Sequence, residues 1–574
     1  MKFETNTILI RKIVLCSIQQ LGRKKNNLLL QYMSKKVNQE YDIVIIGGGI
    51  TGAGTARDCA MRGLKTLLVE KKDFANGATG RNHGLLHSGA RYAVTDGESA
   101  TECIKENMIL RRIARHCVEE TDGLFITLPE DDLNYQKTFV EACHKAGIRA
   151  DIIDPEEAKR IEPAVNPALT GAVRVPDASI DPFRLTTANI IDARRRGADV
   201  RTYSEVTGFI IENGRVLGVK LRDNHTGETS EVRARLTINA AGIWGHLVTQ
   251  LADVTVNMFP AKGALLIFGH RVNHMVINRC RKPGNGDILV PDDTVCVIGT
   301  TSDRVPFETI DDLKITPEEV DVLLSEGEAL APSLATTRII RAYTGVRPLV
   351  ASDNDPSGRS ISRGIVLLDH ETRDGLAGLI TITGGKMMTY RMMAEMTTDL
   401  ACKKLGVDKK CETATTPLPG SEFEPTGAGY NGFNGYDGLD DNAKYSRLIQ
   451  AGRHGTFTPE IKHDTIYDRS LVCECEQVTV GEVKYAVDTL HVHNLKNLRR
   501  RTRVGMGTCQ AELCACRAAG VLCGLNKTPE KSKTDLCDFI QERWKGLEPV
   551  AWGESLEEAQ LMQTVYKGLC RLGV

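Results

Sequence analysis

Short apolar runs separated by glycine-rich turns mark the region that begins at Tyr41. Asp42–Ile46 is a β-branched run typical of a buried parallel strand, and Thr66–Val69 is a second such run. Between them, the turn Gly47–Gly52 leads into Ala53–Arg62, whose composition favours a helix. The pattern therefore predicts a strand–turn–helix–strand unit, which is a βαβ motif.

Helical and strand-like stretches go on alternating as far as Leu405. Strand character returns at Leu236–Asn239 and again at Leu379–Ile382. Gly, Pro, Thr and Asp are then abundant over residues 406–470, which we interpret as a connector with one short helix at Asp441–Ala451. A cysteine-rich segment and a tail with helical character complete the chain.

The first forty residues differ from the rest in charge, with eight Lys or Arg against two Asp or Glu. The apolar stretch Thr7–Leu21 is interrupted by Arg11 and Lys12, so it is too short to span a bilayer. Two interpretations stay open: a signal peptide without a convincing cleavage site, or an extension upstream of a natural start at Met33.

Composition narrows the class of protein. A formal net charge of −1 argues against a general nucleic-acid binder, because neutralising phosphates requires a basic excess. No run of about eighteen apolar residues predicts a membrane span. The 17 cysteines are odd in number and concentrated near the C-terminus, which indicates a reducing, cytoplasmic setting rather than a disulfide framework.

The turn Gly47-Gly48-Gly49-Ile50-Thr51-Gly52 has the spacing of a dinucleotide-binding loop. It follows a predicted strand and precedes a predicted helix, and Glu70 closes the second strand, where a carboxylate can accept hydrogen bonds from a ribose. The glycines allow close approach to a pyrophosphate whose charge the helix N-terminus stabilises. These features predict a dinucleotide site.

Two later segments favour FAD over a nicotinamide nucleotide. Asn239–Trp244 and Thr383–Lys386 each follow a predicted strand, and the second ends in a cation suited to the reduced flavin ring. Together with the glycine loop they make three segments that would reach the nucleotide, and three over this length of chain suit an extended flavin nucleotide.

Four thiols come in two close pairs, Cys473/Cys475 and Cys509/Cys514. Thiolates suit a multi-iron cluster, and one residue between the first pair is an awkward spacing for a single zinc ion. We therefore predict a [2Fe–2S] cluster, with zinc as the alternative. Cys516 remains a second candidate for the position of Cys514.

Charged residues gather in glycine-rich loops where flavin chemistry would occur. The segment 80–92 contains histidines, arginines and a tyrosine, and Arg347 and Arg363 occur in later loops. Converging with Lys386, these arginines would form a site for a phosphate or carboxylate.

Several segments carry a close family resemblance: Gly77–Asp96, Gly123–Leu133, Arg341–Arg359, Thr381–Arg391 and Arg499–Gly520. From about Tyr41 to the C-terminus the chain resembles the large (A) subunits of bacterial anaerobic glycerol-3-phosphate dehydrogenases. Its flavin portion is similar to the D-amino-acid-oxidase-like superfamily, and its cysteine module to [2Fe–2S] domains of the bacterioferritin-associated-ferredoxin type.

The resemblance implies oxidation of sn-glycerol 3-phosphate to dihydroxyacetone phosphate, with hydride transfer to FAD. It implies an α/β fold: a Rossmann-like FAD-binding domain with an inserted α+β substrate domain, plus a small C-terminal [2Fe–2S] domain. We expect a basic extension at 1–40, the flavin-dependent oxidoreductase at 41–405, a connector at 406–470, the [2Fe–2S] domain at 471–525 and a tail at 526–574.

Site residues follow from the motifs. For the cofactor we predict Asp42, Gly47, Gly48, Gly49, Ile50, Thr51, Gly52, Glu70, Thr79, Asn82, Ala241, Gly242, Gly384, Gly385, Lys386 and Thr389. For the substrate we predict Arg91, Tyr92, Arg347 and Arg363, with Arg347, Lys386 and His87 as catalytic residues. For the cluster we predict Cys473, Cys475, Cys509 and Cys514.

One departure leaves the proton acceptor open. Aerobic relatives carry a histidine after a Lys-Gly-Ser segment, whereas this chain has Lys262-Gly263-Ala264-Leu265. His87, Lys386 and an arginine-positioned water are the remaining candidates.

The resemblance also implies partner subunits that carry electrons to a membrane quinone, with this chain at the cytoplasmic face of the inner membrane and its membrane contact indirect. We expect no nucleic-acid partner. Two alternatives stay open: an FAD-dependent amino-acid or opine dehydrogenase, and a non-enzymatic redox or iron-handling protein whose flavin part is a scaffold.

Overall fold

A computed structural model describes residues 40–350, 364–422, 441–526 and 529–573. The N-terminal extension, including Met33, and Arg363 lie outside these residues. Along the described chain, no helix combines the length and apolar character needed to cross a membrane.

The first sheet has eight strands and is built around the predicted βαβ unit. Its strands are β1 (Glu40–Ile46), β2 (Thr66–Val69), β9 (Asp199–Arg201), β10 (Ser204–Glu212), β11 (Arg215–Asp223), β12 (Thr229–Asn239), β19 (Ile365–Asp369) and β20 (Leu379–Gly384). Strand β1 lies between β12 and β2 and pairs with both in parallel, and β20 pairs in parallel with the end of β12. The strands predicted at residues 42–46, 66–69, 236–239 and 379–382 are confirmed.

Helices cover one face of this sheet. They are α1 (Ile50–Met61), α5 (Pro182–Arg195) and α9 (Tyr390–Leu405), and their small and aliphatic side chains share a core with β1, β12 and β20. The opposite face packs against the antiparallel pair β10–β11. Because both faces are covered, the central strands are apolar throughout, as expected for parallel strands.

A second, mixed sheet of nine strands forms the inserted part. Its strands are β5 (Gly123–Thr127), β6 (Asp151–Ile153), β7 (Gly171–Val175), β13 (Met258–Phe268), β14 (Val276–Arg279), β15 (Ile288–Pro291), β16 (Cys296–Gly299), β17 (Asp303–Arg304) and β18 (Ile339–Val350). The long antiparallel pair β13–β18 runs from Met258 opposite Val350 to Phe268 opposite Ile339. The small sheet of β3 (Leu85–Leu86), β8 (Ala178–Ile180) and β4 (Val118–Glu119) lies alongside.

The remaining helices of these parts are short or lie at the periphery. They are α2 (Gly97–Ile113), α3 (Tyr135–Lys145), α4 (Pro155–Ile161), α6 (Gly245–Gln250), α7 (Pro317–Leu330) and α8 (His370–Asp374). Helix α7 begins with a capping box in which Thr316 and Glu319 exchange hydrogen bonds with each other's backbone.

The C-terminal part has its own core. It contains β21 (Leu471–Cys473), β22 (Val478–Thr479), α10 (Asp441–His454), α11 (Ile466–Arg469), α12 (Val480–Thr489), α13 (Leu495–Thr502), α14 (Ala515–Asn526), α15 (Pro529–Leu547) and α16 (Gly553–Gln563). The helix predicted at 441–451 is confirmed as α10. Side chains from the expected connector (Phe457, Ile461) and tail (Phe539, Tyr566) join the core of the cysteine module. This core therefore extends beyond residues 471–525 on both sides.

A buried ion pair joins α10 to the module. Arg453 contacts Glu482 at 2.7 Å, and both side chains are almost fully buried. Burial raises the pKa of Glu482, but Arg453 and the hydrogen bond from His454 outweigh it and lower that pKa to about 2. Burial lowers the pKa of the His454 imidazole and so keeps it neutral. We therefore attribute the lowered pKa of Glu482 mainly to Arg453.

Replacing Glu482 by Gln is expected to destabilise the C-terminal part by about 3 kcal/mol, because the Arg453 charge is left buried and unpaired. The folded pKa of Glu482 lies below the unfolded value of about 4.3, so its stabilisation is present above that pH and is lost as the pH falls toward about 2. Urea unfolding of wild type and Glu482→Gln at several pH values measures both effects. Equal stability at neutral pH would contradict the structural role of the pair.

Candidate flavin and iron–sulfur sites

A cavity of about 1020 Å³ opens where the strands β1, β2 and β20 end. The carboxyl ends of parallel strands are where such folds bind nucleotides. The predicted cofactor residues that line it are Gly47, Gly49, Ile50, Thr51, Glu70, Thr79, Asn82, Ala241, Gly242, Gly384, Gly385 and Lys386. The structure thus brings together segments that are far apart in the sequence.

The glycine loop is shaped by close backbone contacts. Gly47 has φ +112°, and a Cβ there would lie 2.6 Å from the carbonyl oxygen of Ala240. A Cβ on Gly52 would lie 1.9 Å from the Gly47 oxygen, so the first turn of α1 packs directly on the loop. Gly49, the N-cap residue of α1, makes no side-chain cap, and the positive end of the helix dipole there suits the charge of a pyrophosphate. The cradle therefore fits FAD.

Glu70 is held where β2 ends. Its carboxylate accepts hydrogen bonds from the N–H groups of Gly48 and Lys72, both at 2.7 Å. Thr79 braces the other side of the loop by accepting a hydrogen bond from the N–H of Ile50 at 3.1 Å, and Asn82 donates to the Thr79 carbonyl at 2.7 Å. These contacts order the rim of the nucleotide cavity.

Four predicted cofactor residues are absent from the cavity lining: Asp42, Gly48, Gly52 and Thr389. Asp42 lies at the opposite end of β1 from the glycine loop, where it contacts Arg235 at 3.1 Å and accepts from the N–H of Lys65. Thr389 is buried, and its hydroxyl accepts from the N–H of Lys386 at 3.0 Å. Thr389 therefore shapes the turn that carries Lys386. Gly48 and Gly52 contribute by packing, as described above.

One end of the cavity is cationic. Arg347 on β18 contacts the hydroxyl of Thr300 and the carbonyl of Thr301, the latter at 3.0 Å. Lys386 lies with its Nζ atom 4.8 Å from the ring centre of Tyr92. Arg91 also lines the cavity. These four predicted residues converge at one end, which suits an anionic substrate.

Arg91 is more constrained than the sequence indicates. Its Nη2 atom donates to the buried carboxylate of Asp287 at 2.6 Å and to the carbonyl of Gly284 at 2.9 Å. Arg91 therefore ties the loop that contains Gly284 and Asp287 to the cavity wall.

Sequence reasoning overlooked His83, which lies within the quoted segment 80–92. Burial, together with the charges of Arg347 and Arg91, lowers the pKa of His83 to about 3. Its Nδ1 atom accepts a hydrogen bond from the N–H of Leu85 at 3.2 Å. The neutral ring therefore carries its proton on Nε2 and acts as a donor. The sequence feature that could have identified His83 is its position four residues before His87 in a glycine-rich loop.

His87 is buried in the same wall. Its ring lies 5.7 Å from those of both His83 and Tyr92. Lys262 belongs to the segment that lacks the expected histidine. Its side chain is not part of the cavity lining and pairs with Glu319 at 2.7 Å. Among the candidate proton acceptors in the described residues, His87 and Lys386 line the cavity.

The four predicted cluster ligands come together. Cys473 ends β21 and Cys475 follows it, while Cys509 and Cys514 lie between α13 and α14. The Cys514 thiol contacts those of Cys473 and Cys509, and the Cys509 thiol also contacts that of Cys475. A Cβ on Gly507 would lie 2.5 Å from the Cys475 Cβ, so glycine permits this approach.

The structure separates Cys514 from Cys516. Cys514 is fully buried among the other thiols, whereas Cys516 is exposed and its Sγ atom lies 3.8 Å from that of Cys570. Across the described residues, no three His, Cys, Asp or Glu side chains are arranged around a position for a metal ion. The fit to a cluster therefore rests on this donor set of paired thiols, which suits two irons.

The glycine cradle and the thiol group define a flavin-dependent oxidoreductase joined to an iron–sulfur module. Comparison agrees: residues 42–391 match the FAD dependent oxidoreductase family, and residues 471–522 match the BFD-like [2Fe-2S] binding domain. The anaerobic glycerol-3-phosphate dehydrogenase A-subunit of Escherichia coli (strain K12) is 60% identical over 94% of this chain and 98% of that protein. The corresponding A1-subunit of Haloferax volcanii is 42% identical over 91% and 89%. The chain belongs to the family of anaerobic glycerol-3-phosphate dehydrogenase A-subunits.

Solved structures show the same fold. The glycerol-3-phosphate dehydrogenase from Bacillus halodurans complexed with FAD superposes with a TM-score of 0.69, at 23% identity over 90% of this chain and 97% of that one. L-proline dehydrogenase from P. horikoshii has a TM-score of 0.53 at 23% identity, covering 65% and 96%. At these identities the likeness concerns the fold alone.

The two neighbouring cysteines offer a direct test. Cys514→Ser is expected to abolish the [2Fe–2S] cluster, because its thiol lies among the other three, while Cys516→Ser is expected to keep it. Iron content and the EPR spectrum of the reduced protein measure this. Loss of the cluster in Cys516→Ser, with retention in Cys514→Ser, would reverse the assignment.

Proposed function

We propose that this chain oxidises sn-glycerol 3-phosphate to dihydroxyacetone phosphate and passes the electrons through its C-terminal module to partner subunits and a membrane quinone. The cationic end of the flavin cavity is the observation that supports this substrate. Burial, and after it the charges of Arg347 and Arg91, lowers the pKa of His83 to about 3, so positive charge reaches this end of the cavity. A phosphate bound there would be stabilised by the same charges.

The name of the Escherichia coli relative supports the same substrate, since that protein is part of a glycerol-3-phosphate dehydrogenase. When bound, FAD would accept the hydride from C2, and the [2Fe–2S] cluster would carry electrons singly. Backbone N–H groups at α1, the carboxylate of Glu70 and the turn Gly384–Lys386 would hold the nucleotide. Cys473, Cys475, Cys509 and Cys514 would hold the cluster.

The protein's own part in the chemistry is to position the phosphate and remove a proton. Arg347, together with Arg363, is proposed to hold the phosphate, and Lys386 and Tyr92 to form the wall beside the flavin. The C2 hydroxyl proton is proposed to pass to His87. His83 is the weaker choice, because its Nδ1 atom already accepts from Leu85 and its Nε2 atom carries a proton.

The names of the relatives describe them as components of multi-subunit enzymes. We propose that this chain likewise acts with partner subunits, at the cytoplasmic face of the inner membrane and peripherally through those partners.

The decisive experiment adds glycerol 3-phosphate to the anaerobic, FAD-loaded protein while absorbance and EPR spectra are recorded. Bleaching of the flavin bands with a reduced-cluster signal supports the proposal. Bleaching by an amino acid instead would favour an amino-acid or opine dehydrogenase. No bleaching by either substrate would favour a binding protein.

Arg347→Met is expected to raise KM for glycerol 3-phosphate roughly tenfold to a hundredfold, because a charge-assisted hydrogen bond contributes about 1.5–3 kcal/mol. Oxidation of glycerol, which lacks the phosphate, should change little. Steady-state kinetics with a dye acceptor measure both. Arg233→Met is the matched control, since Arg233 is exposed on β12 and pairs with Glu212. Equal losses for both substrates would contradict a phosphate-binding role.

His87→Gln is expected to lower kcat by about 10²–10⁴ if His87 accepts the proton, with flavin content unchanged. His83→Gln is expected to raise KM more than it lowers kcat, because the proposed part of His83 is to donate a hydrogen bond from Nε2 to the substrate. Rapid-mixing reduction of the flavin over a range of pH separates the two. A larger loss of kcat in His83→Gln would exchange the roles.

A further inference from the structure

A second cavity, of about 1120 Å³, lies between the flavin-binding part and the C-terminal part. Its walls come from the segment 80–84, from β18, and from α13 and α15. Arg81, Asn82 and His83 line both cavities, so their loop forms a wall between the two. The second cavity belongs to neither the flavin cradle nor the thiol group.

Three arginines face this cavity from different parts of the chain: Arg81, Arg341 and Arg499. Arg341 is only 7% exposed. Its Nη1 atom is buried without a hydrogen-bond partner, and so is the Nε atom of Arg499. Within the described ranges, none of the three guanidinium groups forms an ion pair with a carboxylate.

Three other arginines that line the same cavity form ion pairs with aspartates. Arg500 contacts Asp73 at 2.9 Å, and Arg503 contacts Asp292 at 3.0 Å. Arg184 pairs with Asp293. The three unpaired arginines are therefore a selective feature of this wall and do not reflect a general lack of carboxylates.

The unpaired charges are costly in the absence of a counter-ion. Burial lowers the pKa of each of these three arginines, and repulsion from neighbouring arginines lowers it further. Glu542 is the carboxylate that acts on all three, and they lower its pKa in spite of its burial. Asp311 also acts on Arg81, but it is more than half exposed and pairs with Lys72 at 4.0 Å. Three guanidinium groups against Glu542 therefore leave an excess of about two positive charges, because arginine stays protonated in proteins.

We propose that the second cavity binds a small phosphate-bearing anion through Arg81, Arg341 and Arg499. Guanidinium groups match the geometry of phosphate oxygens, and an excess of about two charges suits a phosphate dianion better than a single carboxylate. The volume admits a phosphorylated metabolite as well as orthophosphate. This site is separate from the substrate end of the first cavity and does not depend on the identity of the substrate.

The test uses the full-length, FAD-loaded chain with Arg347→Met as the parent, so that phosphate binding in the first cavity is suppressed. Calorimetric titration with inorganic phosphate is expected to show one site in this parent. Adding Arg341→Met or Arg499→Met should weaken that binding by about tenfold or more, since each loses a charge-assisted hydrogen bond. Arg341→Lys should retain part of it, and Arg233→Met, an exposed arginine outside both cavities, should retain all of it.

Thermal unfolding separates a binding role from a structural one. Without phosphate, Arg341→Met is expected to match or exceed the parent in Tm, because an unpaired buried charge is removed. Phosphate should raise the Tm of the parent by mass action but leave that of Arg341→Met unchanged. Absence of phosphate binding in the parent, unchanged binding in both Arg341→Met and Arg499→Met, or a clear loss of Tm in Arg341→Met without phosphate would overturn the proposal.

Discussion

One buried carboxylate, that of Asp73, ties the cysteine module to the flavin-binding part. Arg500 and Arg501 contact it at 2.9 Å and 2.6 Å. Burial raises the pKa of Asp73, but the two arginines outweigh it and hold that pKa below its ordinary value, so the group stays ionised. Asp73 lies just beyond Glu70, and the arginines lie just before Cys509. One ion-pair network therefore joins the rim of the nucleotide cavity to the loop of the thiols.

The features that could be predicted from the sequence are local ones. The strand Thr66–Val69 and the four thiols follow from short patterns that need no knowledge of distant contacts. Asp42 lies near the start of β1, so the order of residues already places it at the end of that strand away from the glycine loop. The pairing of Arg91 with Asp287 and the convergence of Arg341 and Arg499 join segments far apart in the chain. No periodicity or spacing reports such contacts.

Net charge conceals how unevenly the charges are placed. The chain as a whole carries a formal charge of −1. Yet Arg347 and Arg91 add to the effect of burial in lowering the pKa of His83 to about 3, and three further arginines face a second cavity across the same loop. Positive charge is therefore concentrated on both sides of the loop that contains Arg81 and His83.

The tail closes the loop that holds the thiols. The single proton of the buried Tyr566 hydroxyl is shared between the carbonyls of Ala511 and Glu512, at 3.1 Å and 2.7 Å, and both lie between Cys509 and Cys514. Tyr566 is synthesised well after all four cysteines, and domains fold as the chain emerges from the ribosome. The thiol loop can therefore gain this contact only after the end of the tail has left the ribosome, whereas the segments that form the flavin cradle have all been synthesised well before that point.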